Sequence, residues 1–335
     1  MIPMSQGRAA QMSLTDHGPR LYRHSSRGRR IFKVAGLCAL LVSALSANAE
    51  PTVVTDDVER FYRIYDAADG HPAADLLQRE YLDQGSDGLK HFAKIRNITG
   101  ERIAKAIAER PEIYDQARQC AVALPQVKAR VGAALSRFSE LYSDASFPAV
   151  TVSVGRGRPV AVAGPNDGIN IGLEALCATA FINPDIEDRF VRVMVHEFVH
   201  VQQVPELTDK PAPTVLELSL VEGSAEFVTE LLTGDVAYAY MADLVAGREA
   251  EIEQAFVPDM DATELSKWLY NSTPSKPGDL GYWVGYRIAK TYYSKAADKR
   301  QALKAIISMR DAKEFLAMSG WGPERLSAQN KLESP

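Results

Sequence analysis

From position 55 to about 142, apolar residues recur every three or four positions, first as Val58, Phe61, Tyr62 and Tyr65, later as Val127, Val131, Leu135, Phe138 and Leu141. That spacing lines one face of a 3.6-residue helix, so this stretch predicts packed helices. Between 147 and 176 the pattern turns β-branched and glycine-punctuated, at 150–154, 160–162 and 169–172, which predicts a small antiparallel sheet. After Asn183-Pro184 the helical period returns over 185–203 and again over 215–233, and Pro205, Pro211 and Pro213 break the chain between the two. The second of these helices has both ends marked: Thr214 with Glu217 forms a capping box, and Gly234 is placed to terminate it. Further helices are expected over 236–256, 262–270, 282–295, 298–309 and 311–318, with Asp261/Glu264 and Asp311/Glu314 as start signals. The fold class this predicts is α+β and mainly helical, with no internal repeat.

Composition narrows the classes. At 335 residues, 46% hydrophobic and 24% charged, the chain is neither fibrous nor disordered, and no stretch approaches the ~20 apolar residues of a membrane span. Residues 1–49 differ from the rest. They carry seven Arg/Lys against the single acid Asp16, including Arg27, Arg29, Arg30 and Lys33, then an apolar run from Val34, then Ala47-Asn48-Ala49. This is the layout of a cleaved signal peptide, so the expected mature chain starts at Glu50 and is periplasmic or secreted; Arg29-Arg30 also fits a twin-arginine signal. Without the leader the formal charge moves from −5 to about −11, which argues against nucleic acid as a partner. Cys120 and Cys177 are the two cysteines left, either a single disulfide suited to an oxidising compartment or two separately buried thiols.

The candidate chemistry lies in the 185–203 helix. His196-Glu197-Phe198-Val199-His200 places two imidazoles four residues apart on one helical face, where both can reach one Zn²⁺. Glu197 flanks that face and can hydrogen-bond the water a metal polarises without ligating the metal, as a general base must. Only His71 and His91 remain elsewhere after the leader, and the motif is flanked by Val191, Val193, Met194, Val195 and Val201, so the pair belongs to a mostly buried helix. Buried imidazoles need partners.

A catalytic zinc site needs a third protein ligand, and the 215–233 helix offers Glu217, Glu222, Glu226 and Glu230. Glu217 lies on another face and serves the cap; Glu230 is two turns, roughly 12 Å, from Glu222 and cannot share a site with it. That leaves Glu222 and Glu226, one as ligand and one holding a histidine N–H. Glu222 is preferred as ligand, because Gly223 beside it removes a side chain where two helices must approach.

His196-Glu197-Phe198-Val199-His200, Glu222-Gly223-Ser224-Ala225-Glu226-Phe227 and Gly281-Tyr282-Trp283-Val284-Gly285-Tyr286-Arg287 together resemble the gluzincin metallopeptidases, specifically bacterial predicted zinc-dependent proteases with uncharacterised domains. The resemblance spans about 147–320, between an N-terminal helical region at 50–146 and a C-terminal tail at 321–335. It implies a zincin-like core with an active-site helix pair, zinc held by His196, His200 and Glu222, and water activated by Glu197. It also implies an oxyanion-stabilising residue, with Tyr286 and Tyr282 as candidates, and a strand at 169–172 that pairs with an extended peptide. The expected partner is a peptide or protein substrate. Two other readings stay open: a non-catalytic zinc-stabilised envelope protein, and a zinc amidase acting on cell-wall peptide.

Overall fold

Val150–Ser153 is buried at every position, as a strand covered on both faces must be, and it occupies the interior of the sheet. The computed structural model describes residues 52–164, 168–273 and 275–323. The predicted leader at 1–49, and all but the first residues of the predicted tail, lie outside them. Four strands, β1 (Val53–Val54), β2 (Val150–Ser153), β3 (Ala161–Gly164) and β4 (Gly168–Gly172), form one sheet in the order β1-β2-β4-β3. β1 pairs with β2 and β2 with β4 in parallel, and β3 with β4 antiparallel.

The sheet is therefore mixed, not antiparallel as expected. The reason is long-range: β1 comes from the start of the helical region and reaches β2 only after nearly a hundred residues of helix, a crossover that local alternation cannot reveal. β4 is also an internal strand, so the segment 169–172 has both edges paired and cannot take up a peptide; the edge next to it is β3.

Helices cover the sheet. The helix Ile186–Gln202, here the histidine helix, packs on β3 and β4, and Asp87–Arg96 packs on β2 so closely that a Cβ on Gly88 would lie 1.9 Å from Thr151 Oγ1. The long helix Pro111–Leu141 packs on the histidine helix, and its Cys120 forms a disulfide with Cys177, Cα atoms 6.0 Å apart. Residues on both sides of position 147 contribute to one buried hydrophobic cluster, from Phe61, Tyr114 and Phe138 through Val152 and Phe198 to Phe256 and Ile288.

The histidine helix starts at Asp185, whose carboxylate accepts from Asp188 N at 2.8 Å. The helix Val215–Thr233, here the acidic helix, carries the expected capping box, with Thr214 and Glu217 bonded reciprocally at 3.3 and 2.8 Å, and ends at Gly234 with φ 94°. It crosses the helix Leu280–Lys295 backbone to backbone. A Cβ on Gly223 would lie 2.1 Å from Tyr286 N, and one on Gly285 would lie 1.7 Å from Ser219 O. Gly223 thus opens the acidic helix toward Leu280–Lys295, not toward the histidine helix as the sequence suggested.

Two helical expectations fail. The stretch 236–256 divides into Met241–Val245 and Glu249–Phe256, because Gly247 takes φ 75° between them. The stretch 262–270 is not a helix: the carbonyls of Met260 and Ala262 turn aside to accept from Leu216 N and Val215 N at 3.0 and 2.8 Å, satisfying the open N–H groups of the acidic helix. Among the described residues no helix is long and apolar enough to cross a membrane.

Candidate metal centre

His196 and His200, one turn apart, bring their Nε2 atoms within 3.0 Å of each other. Glu222 Oε2 from the acidic helix lies 3.3 Å from each of them. His196 is 4% and Glu222 8% exposed, so the cluster sits at the bottom of its surroundings, with His200 and Glu197 less covered.

What suits the imidazoles to a metal is the other side of each ring. His196 Nδ1 lies 2.8 Å from Glu226 Oε1, and the second oxygen of Glu226 accepts from Ala237 N and Tyr238 N at 2.8 and 3.3 Å. His200 Nδ1 lies 2.8 Å from Gln203 Oε1, and the Gln203 amide donates to Val221 O at 2.7 Å, which settles which end of the amide faces the ring. His200 therefore gives its Nδ1 proton to Gln203, His196 Nδ1 stands at ion-pair distance from Glu226, and both rings turn Nε2 toward the same point. Two lone pairs and a carboxylate oxygen converging at 3.0–3.3 Å repel one another unless a cation or a proton lies between them. A tetrahedral ion with arms of 2.0–2.1 Å spaces its ligands by about 3.3 Å, so the three donors fit zinc in number, kind and spacing. Among the described residues these three can each offer one ligand atom within 4.8 Å of the others.

Charge tells the same story. Burial alone would depress both imidazoles, yet Glu222 and Glu226 raise His196 well above its usual value and Glu222 raises His200. Burial would raise Glu222, but His200 and His196 pull it far below the usual carboxylate range. Glu197 responds differently: burial pushes its carboxyl up, with His200, His196 and Arg96 opposing. No described side chain hydrogen-bonds it, so it is left free to exchange a proton.

The tyrosines divide. Tyr282 packs beside the site, its ring 6.4 Å from that of His196 and nearly parallel to it. Tyr286 does not reach it. Its hydroxyl donates to Glu230 Oε2 at 3.0 Å and meets Lys290 Nζ at 2.6 Å; Glu230 is eight residues, about 12 Å, along the acidic helix from Glu222. A one-turn step along Leu280–Lys295 was enough to carry Tyr286 past the centre.

Tyr270 takes the place that sequence reasoning missed. Its hydroxyl donates to Glu222 Oε1 at 3.0 Å, and the residue is 39% exposed. Burial of its hydroxyl end and the Glu222 charge push its pKa up, so it keeps its proton. Tyr270 sits at φ 57°, an expensive conformation for a non-glycine residue, clamped by the reciprocal bonds Asn271 N to Asp279 Oδ1 and Asp279 N to Asn271 Oδ1 at 2.8 and 2.6 Å. The turn-rich run after it, Asn271 to Gly278, was the available signal; reading 262–270 as helix hid it. Gln203 and Tyr238 were likewise unnamed, since nothing local to either predicts its partner.

A mixed sheet under a histidine helix, with a His-His-Glu cluster completed by a second helix, defines a protein with a zinc-compatible site. Residues 175–316, which contain every member of that cluster, match the family described as Predicted Zn-dependent protease (DUF2268). No curated protein and no solved structure matches the chain.

Proposed function

We propose that the protein is an exported zinc metallopeptidase of gluzincin type, hydrolysing peptide bonds of a peptide or protein substrate. The observation that carries this reading is the convergence of His196 Nε2, His200 Nε2 and Glu222 Oε2 at 3.0–3.3 Å, with Glu197 beside them and free of hydrogen bonds to described side chains. His196, His200 and Glu222 would hold zinc, and Glu226 and Gln203 keep the two imidazoles in the ligating tautomer. Zinc bound there supplies Lewis acidity to both water and the scissile carbonyl. Glu197 takes the proton of the attacking water and delivers it to the leaving amine. Tyr270, protonated and hydrogen-bonded to Glu222 Oε1, turns its hydroxyl away from that oxygen to donate to the carbonyl oxygen as negative charge develops on it. Export is supported by the basic and apolar leader ending in Ala47-Asn48-Ala49 and by the Cys120–Cys177 bond, of a kind that persists in oxidising compartments.

The test pairs metal analysis of the purified protein with hydrolysis of an unstructured protein substrate. Wild type should carry about one zinc per chain and cleave, and Glu197→Gln should keep the zinc while losing cleavage by several orders of magnitude. Equal activity in the two proteins refutes the assignment.

A further inference from the structure

Away from the metal centre, a cavity of about 540 Å³ is walled by Arg102, Lys105, Arg110, Arg156 and Arg158, with Glu109 as its one carboxylate. In a chain of formal charge −5 such a concentration of cations is not a consequence of composition. Three elements supply them: the helix Gly100–Glu109, the start of the helix Pro111–Leu141, and the loop after β2.

Ordinary surface arginines find carboxylates; these do not. Lys105 pairs with Glu109 at 3.8 Å, while among the described residues no carboxylate is ion-paired with Arg102, Arg110, Arg156 or Arg158. The guanidinium groups instead donate to neutral carbonyls: Arg110 to Arg156 O, Arg156 to Arg96 O and Arg102 to Asn97 O, each at 3.2 Å. Arg156 also keeps a buried Nε without a partner.

The loop is built to hold this shape. Glu174, 1% exposed, accepts from Gly155 N and Gly157 N at 3.0 and 2.8 Å, pinning the backbone on either side of Arg156 from beneath. Gly157 has φ 76°, and a Cβ there would lie 2.0 Å from Arg110 Nη2, so the loop closes around that guanidinium. Arg110 also neutralises the buried Glu174 carboxylate in part and Lys105 is paired with Glu109, which leaves Arg102, Arg156 and Arg158 as the cations open to a ligand.

We propose that this pocket binds a phosphate-bearing ligand. Arginine forks approaching from two elements, Arg102 on the helix Gly100–Glu109 and Arg156 and Arg158 on the loop after β2, suit a tetrahedral oxyanion, which presents acceptor oxygens in several directions, better than a single carboxylate, which presents two in one plane. Concavity and the net acidity of the chain favour a small phosphorylated group over an extended polyanion. The phosphate belongs either to a free small molecule or to a lipid headgroup.

The experiment titrates the purified chain, at constant ionic strength, with inorganic phosphate and pyrophosphate, and in parallel with phosphatidylcholine vesicles containing or lacking phosphatidic acid. Wild type should bind saturably in the millimolar range or tighter, to the free anions or to the phosphatidic acid vesicles, and the arm that responds names the source. Arg102→Gln with Arg158→Gln should weaken this binding at least tenfold, while Arg63→Gln with Lys128→Gln, removing the same charge elsewhere, should leave it within twofold. No saturable binding in either arm overturns the proposal, and so does an equal loss in both double variants. None of the four residues touches the metal centre, so this outcome is independent of the hydrolytic reading.

Discussion

At the scale of single residues, function turns on which way a polar atom is facing. His196 and His200 turn Nε2 toward Glu222 while Nδ1 faces Glu226 and Gln203, and the hydroxyls of Tyr270 and Tyr286 end on Glu222 and Glu230, two turns apart on one helix. Their phenotypes should separate. Tyr270→Phe should lower kcat on the order of a hundredfold, the cost of losing one transition-state donor, with zinc content unchanged. Tyr286→Phe should leave kcat within about twofold and lower stability by about 0.5–1.5 kcal/mol, the worth of an ordinary hydrogen bond, read by kinetics and urea unfolding of the two variants.

At the scale of elements, the acidic helix is held at its start by a cap and along its length by glycines. Gly285→Ala forces a methyl to 1.7 Å from Ser219 O, a clash with backbone that no rotamer relieves. Its cost should be about 3 kcal/mol or more in urea unfolding, well above a surface change. Gly132, in the long helix, is the control, because a methyl added there would meet nothing within 4 Å: Gly132→Ala should stabilise by about 0.5–1 kcal/mol. The cap makes a pH prediction. Burial would raise Glu217, but Lys210 and Thr214 outweigh it and hold its carboxyl below the ordinary 4.5. A group depressed on folding stabilises fully above its unfolded value and loses that contribution as pH falls. The melting-temperature gap between wild type and Glu217→Gln should therefore be widest near neutral pH and close as pH drops below 4.5; a gap that widens in acid would contradict it.

For the molecule as a whole, the Cys120–Cys177 bond spans 57 positions and links the long helix to the segment that follows β4. A loop of that length restricts the unfolded chain by about 4 kcal/mol. Cys120→Ser with Cys177→Ser should lose most of that in denaturant midpoint while leaving zinc content intact, because neither sulfur lies among the residues of the metal centre.

The amino-acid pattern alone determined much of this protein. Short-range periodicity and cap chemistry located the two helices of the centre within a residue or so, and four-residue spacing put His196 and His200 on one face. Helical phase narrowed the candidate third ligand to Glu222 or Glu226, since these depend on neighbours only a few positions away. Everything joining distant residues was decided by the tertiary structure: β1 beside β2, Gly223 against Gly285, the turn that makes 262–270 a cap instead of a helix, and Tyr270 on Glu222. Those contacts depend on how whole elements pack, and the free energy that selects them belongs to no single stretch of chain.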